Sequence, residues 1–151
     1  MFNEQGAAAS PGGMERRQML DILAYARPDR LKELAENILA GLGDIHVITN
    51  RTGLIMVPMR DTVENVDFHL GEVLVSEAHI ADAAGAIGYG MITGRDLERA
   101  MAMAVVDLFI ATGKTTDAVR TFLEEERDHR TALDMARMRQ VEATRVEMET
   151  F

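Results

Sequence analysis

From Met14 onward, apolar residues recur at the spacing of one helix face: Met19, Ile22, Leu23 and Ala26 fall together before Arg27-Pro28 interrupts the run. Pro28 suits the first turn of a second helix, with Leu31, Leu34, Ala35, Ile38 and Leu39 inward and Gly41 and Gly43 marking its end. The period then changes. Ile45-His46-Val47-Ile48 and Leu54-Ile55-Met56-Val57 are β-rich, and Asn50-Arg51-Thr52-Gly53 between them predicts a hairpin, with Pro58 placing the second run at an edge or at its own end. A further strand is predicted from about Val66 or Phe68 to Ile80, bent near Gly71 and turning through Ala83-Ala84-Gly85 into a last strand around Gly88. Such short connections make the sheet mostly antiparallel, so the pattern predicts an α+β domain with a four- to five-stranded sheet.

The stretch Gly88-Tyr89-Gly90-Met91-Ile92-Thr93-Gly94-Arg95-Asp96 organises the rest. Alternation puts Ile87, Tyr89, Met91 and Thr93 on one face of a strand and Gly88, Gly90, Ile92 and Gly94 on the other, which is nearly bare backbone. Something must pack closely there. A helix lying tight on the sheet is the default, and a ligand or partner chain approaching the backbone is the sharper alternative. At the corner, Thr93 and Asp96 stand at capping-box spacing, and Asp96 also suits the N-cap position itself. Arg95 has two readings: a salt bridge that fastens the corner, or, with Thr93 and Gly94, an anion site for a phosphate or carboxylate at the positive helix end.

The helix that follows, Leu97 to Ala111, is apolar on two sides. Leu97, Ala100, Met101, Ala104, Leu108 and Ala111 form one stripe, and Met103, Val106 and Ile110 with Ala102 and Phe109 cover the opposite side. One stripe packs on a sheet, while the second needs the chain's own helices or a partner protein, which makes Met103, Val106 and Ile110 the candidate interface positions. Asp107 lies between the stripes. A carboxylate buried there must be paired, so a structural ion pair is its default and catalysis the alternative.

After Gly113, Thr115-Thr116-Asp117 offers an N-cap for a C-terminal helical arm. Val119, Phe122 and Leu123 are apolar, Glu124 to Arg130 is almost wholly charged with Glu126 and Arg130 at i, i+4, and Leu133, Met135, Ala136, Met138, Val141 and Val146 resume the apolar pattern. That arrangement predicts an arm whose ends dock on different surfaces, or two helices meeting at a solvated break.

Composition narrows the function classes. The 151 residues suit a single domain over 14–151, with 1–13, rich in Gly, Ala, Ser and Pro, expected as a mobile leader. The net charge of -9 argues against holding nucleic acid by its phosphates. With no cysteine, the chain has no thiol nucleophile and no cysteine-ligated zinc or iron–sulfur cluster, and it fits a cytoplasmic protein. No apolar stretch reads as a membrane span. Glu77 and His79 share a strand face, yet His46, His69 and His129 are scattered, so no metal set is expected and an interface or solvated pair is preferred. Glycine-rich phosphate loops and nucleophile elbows are likewise missing.

Several segments in order carry a resemblance. Arg17-Gln18 to Leu23-Ala24, then Gly71-Glu72-Val73-Leu74-Val75-Ser76-Glu77-Ala78, then Gly88-Tyr89-Gly90 with Gly94-Arg95-Asp96, and finally Arg139-Gln140 with Ala143-Thr144-Arg145-Val146 resemble the PhnG family, small subunits of the carbon–phosphorus lyase core complex. Met19 departs from an expected aromatic residue and Met148 from an expected Phe. The resemblance implies a role in phosphonate breakdown under phosphate limitation beside PhnH-, PhnI- and PhnJ-type partners. In that pathway the adenine of ATP, the co-substrate, is displaced by a phosphonate to give a ribose 1-phosphonate 5-triphosphate, an activity associated with the PhnI type. A radical subunit, with its iron–sulfur cluster and S-adenosylmethionine, later cleaves the carbon–phosphorus bond. The resemblance implies no catalytic residue and no cofactor in this chain. Two other classes stay open: a stand-alone small-molecule enzyme or anion-binding protein with Arg95, Asp96, Glu77 and His79 around a pocket, and a purely structural oligomer.

Overall fold

A computed structural model describes residues 13–146 of the chain, so all but the last residue of the expected leader, and Met148, lie outside the described residues. Helix α1 (Arg16–Tyr25) and helix α2 (Pro28–Leu39) come first. They are followed by strands β1 (Ile45–Arg60), β2 (Asp67–Asp82) and β3 (Ile87–Thr93), then by helices α3 (Leu97–Ala111) and α4 (Asp117–Ala143). The first two helices form for the reasons their pattern gives. Met19, Ile22, Leu23 and Ala26 are buried, Pro28 opens α2, and Leu31, Leu34, Ala35 and Ile38 face the core, whereas Leu39 is half-exposed.

The sheet has three antiparallel strands in the order β1-β2-β3, not four or five. Asn50-Arg51-Thr52-Gly53 does not turn; it runs straight on opposite Ala78 to Val75, and the two short runs expected on either side fuse into one strand of 16 residues. The hairpin closes instead beyond Arg60. There the Asp61 carboxylate accepts the N–H groups of Val63 and Glu64 at 3.2 and 2.8 Å, and Asn65 takes a φ of 58°, a left-handed conformation that Asn tolerates. Those bonds hold the Asp61 carboxyl below its ordinary range, Glu64 contributing most. The register shifts between Val57 and Pro58, so that Leu70 is left without an opposite residue beside Gly71.

Helix α3 lies on β3 and β2 and is covered by α2 and α1. Gly88 and Gly90 are what let it in. A side-chain carbon at Gly88 would overlap the Ala104 carbonyl oxygen, and one at Gly90 would overlap that of Ala100, so the helix backbone rests on the strand backbone. The default of a tight helix on the bare strand face therefore holds. On the far side of α3, Met103, Val106 and Ile110 are at most 4% exposed within the single chain. They are core residues under the chain's own helices and are not open to a partner, which corrects their assignment as interface positions. The second stripe needs a cover, and the chain supplies it.

Helix α4 is continuous. Its first half docks through Val119, Phe122 and Leu123, and everything from Thr131 to Val146 is exposed. Of the two readings of this segment, the solvated break does not occur: α4 is a single helical arm, and only its first half docks on the chain itself.

Gly90→Ala should lower stability by about 3 kcal/mol, because the clash is with helix backbone that cannot move aside without lifting α3 from the sheet. Urea unfolding of the variant beside wild type is the measurement, and an unchanged midpoint would contradict the close packing described.

Candidate functional site

The corner between β3 and α3 is closed by two side chains. Asp96 is the N-cap, accepting the Arg99 N–H at 2.9 Å. Ser76, fully buried on β2, donates its hydroxyl to the Gly94 carbonyl at 2.8 Å and accepts the Asp96 N–H at 3.0 Å. Gly94 turns with φ 95°, which a β-carbon would resist. Thr93 makes no capping bond; the helix start belongs to Asp96. Arg95 is exposed and, among the described residues, makes no ion pair, so fastening the corner is not its task. The helix end beside it already carries two carboxylates, Asp96 and Glu98, with Lys32 between them at 3.6 and 3.2 Å.

Asp107 is 1% exposed and serves two elements at once. Its carboxylate accepts from Arg16 Nη2 at 2.7 Å and Nε at 3.3 Å, and from the Tyr89 N–H at 2.9 Å on the edge strand β3. Both carboxylate oxygens are thus engaged, in the ion pair and with a backbone N–H. Glu126 is the second buried carboxylate, and its partner is not Arg130. It accepts from the Arg27 N–H at 2.9 Å, from Arg27 Nε and Nη2 at 3.0 and 2.7 Å, and from Arg30 Nη1 at 3.0 Å. Burial pushes the Glu126 carboxyl up, but the side-chain and backbone bonds from Arg27, with the charges of Arg27 and Arg30, outweigh it and hold the group below its ordinary value. Arg130 instead pairs with Asp21 at 2.6 Å and lies over the Tyr25 ring. Arg99 completes the clasp by donating to the Ala24 and Ala26 carbonyls, the free C-terminal groups of α1.

These ties were not visible in the sequence beyond Asp107 itself. A helix pattern shows which face a charged residue occupies, not which of several arginines 91 or 99 positions away it meets. The only signal for Glu126 is its place one turn after Phe122 and Leu123 on the apolar side of α4.

Glu77 and His79 lie on the sheet face away from α3. Glu77 pairs with Arg51 at 3.2 Å, and His79 packs edge-on to Tyr89 with ring centroids 5.8 Å apart. Burial first, and the Glu77 charge second, raise the Tyr89 phenol above its ordinary value. Arg95 and Asp96 are therefore not gathered with Glu77 and His79 around one pocket. An open groove of about 390 Å³ lies between α2, β1 and α3. Lys32, Leu39, Asn50, Glu98 and Met101 line it, and Arg95 does not. Among the described residues no helix is long and apolar enough to cross a membrane.

Two comparisons bear on these features. The family described as "Phosphonate metabolism protein PhnG" matches residues 14–151. Over its whole length the chain is 28% identical to the alpha-D-ribose 1-methylphosphonate 5-triphosphate synthase subunit PhnG of Rhizobium meliloti (strain 1021), 97% of which is covered.

The Glu126 tie has a pH signature. A carboxyl whose folded value lies below its ordinary 4.5 adds stability that is fully present above that value and is lost as pH falls through the folded value, where the unfolded chain binds more protons. Unfolding midpoints measured between neutral pH and the acid side of 4.5 should fall for wild type. In Glu126→Gln they should start lower and fall less steeply; equal slopes would remove Glu126 as a source of the acid loss.

Proposed function

The chain belongs to the PhnG family, and from that premise we propose that it is a subunit of a complex that transfers the ribose triphosphate moiety of ATP to a phosphonate and releases adenine. The product is alpha-D-ribose 1-methylphosphonate 5-triphosphate when the phosphonate is methylphosphonate. In this reading the chain acts in the cytoplasm with PhnH-, PhnI- and PhnJ-type subunits, binds no cofactor itself, and contributes to turnover by assembly. The iron–sulfur cluster and S-adenosylmethionine of the later cleavage belong to a partner.

The observation that carries the reading is how the chain's reactive groups are used. Among the described residues the two buried carboxylates, Asp107 and Glu126, are both bound to arginines that hold helices together, and Glu77 is paired with Arg51. A general acid or base needs a proton position within hydrogen-bond reach of a substrate, and these groups have theirs filled by the fold. What the chain does present outward is apolar surface: the distal halves of β1 and β2 and the C-terminal half of α4, where Leu54, Leu70, Leu133 and Met138 are exposed. That is how a subunit looks away from its complex.

Adenine release from ATP plus methylphosphonate, followed by chromatography, should be absent for the chain alone and should appear when PhnH- and PhnI-type partners are added. Robust release by the chain alone would overturn the subunit reading in favour of the stand-alone enzyme.

Arg95, with Thr93 and Gly94, is an anion contact the chain could bring to such a complex, since its guanidinium is exposed at a helix start and has no ionic partner among the described residues. Arg95→Lys is expected to leave stability within about 0.5 kcal/mol of wild type. Turnover of the assembled complex then decides its role. A drop with assembly intact marks a phosphate contact through the lost fork geometry, and unchanged turnover retires the site.

A further inference from the structure

Beyond the domain, β1 and β2 continue as a two-stranded ribbon that runs from about Gly53 to Arg60 and back from Asp67 to Val75. At roughly 3.3 Å per residue the strand from Gly53 to Arg60 reaches on the order of 25 Å. A two-stranded hairpin is marginal in water by itself, and from Gly53 to Arg60 and from Asp67 to Glu72 every residue of this one except Val57 is exposed.

The two faces of the ribbon differ. Residues opposite each other in an antiparallel pair share a face, and the bulge at Leu70 keeps the two strands in step. One face carries the cross-strand ion pair Arg60–Asp67 with His69 and Glu72, mixed with Leu54 and Met56. The other carries Ile55 opposite Val73, Val57 opposite Gly71, and Met59 opposite Phe68, with no polar side chain between Gly53 and the turn. Ile55, Met59 and Phe68 are each at least 40% exposed. Leu54 and Met56 on the mixed face are exposed as well, but only the Ile55–Met59–Phe68 face is free of polar side chains, and nothing in the described chain covers it.

Charge decides between occupants. Around the tip, Asp61, Glu64, Asp67 and Glu72 face Arg60 alone, a surplus of three negative charges on a chain already at -9. A second copy would bring the same acidic tip and the same net charge to the contact. A different protein with basic residues around an apolar cleft would gain by the same arrangement. The geometry points to the Ile55–Met59–Phe68 face of the ribbon as a docking surface that inserts into an apolar, basic-rimmed cleft on a co-subunit. This rests on the subunit reading above and adds to it which surface makes the contact and what chemistry receives it.

Reconstitution with the PhnH-, PhnI- and PhnJ-type co-subunits tests it. Phe68→Glu, and Phe68→Thr as a variant that keeps strand propensity, change a side chain outside the core, so both should melt with wild type. Titration of the variants against the co-subunits should show affinity reduced at least tenfold for Phe68→Glu. The double variant Glu64→Lys, Glu72→Lys should weaken binding at low ionic strength, with the difference shrinking as salt is raised. Ribbon variants that assemble at wild-type affinity would overturn the docking surface and leave the subunit reading standing. If wild type binds none of the co-subunits, the subunit reading fails and takes this inference with it. A dimer of the lone chain that Phe68→Glu dissolves would give the face to a second copy, and also overturns it.

Discussion

The structure depends on a contact that has no side chain in it. At Gly88 and Gly90 the backbone of β3 touches the backbone of α3 around Ala100 and Ala104, and no other residue type fits. That approach fixes the height of α3 above the sheet. It also explains why the opposite stripe of α3 is large, since Met103, Val106 and Phe109 must fill the space up to α1 and α2 from a helix seated unusually low. A buried helix of this kind brings its only charged core residue, Asp107, to the open edge of β3, where the Tyr89 N–H has no strand to meet.

The helices are then tied by charge as well as by packing. Arg16 to Asp107 joins the start of α1 to α3, and Arg27 and Arg30 to Glu126 join the α1–α2 corner to α4. Each buried carboxylate is satisfied by more than one donor, which is the condition under which a buried ion pair repays its desolvation. Truncating one member would leave a buried charge without its counter-ion. Such ties specify the relative placement of helices that apolar contact alone would allow to slide.

Much of this was legible. The helix faces of α1 and α2, the tight glycine strand, the Asp96 cap and the paired state of Asp107 follow from spacing and from the cost of burying polar groups. Where the reading failed, local signals were overruled. Asn50 to Gly53 has turn composition, yet the cross-strand pairing of Thr52 with Ser76 and Leu54 with Leu74 keeps it extended. The three-strand count follows from that one substitution of a straight segment for a turn. Met103, Val106 and Ile110 showed that they needed a cover, but periodicity cannot say whose side chains provide it. Ser76 was invisible as a corner-closing residue, since a serine inside an apolar strand gives no hint of the loop 18 residues on that it will bond. Arg95 failed in the other direction: its position at a corner suggested a fastening role, and the corner closes without it.

One feature of β1 matters for handling the protein. It is an outer strand over its whole length, so its outward N–H and C=O groups form a long row open to any other extended chain. Such a row templates fibre growth when concentrations are high and a natural neighbour is missing. Pro58, at the second of two register shifts along β1, has no N–H to offer and stands between the apolar run Leu54 to Val57 and the tip. The same proline thereby acts as a gatekeeper on an edge that extended copies of the chain could otherwise extend.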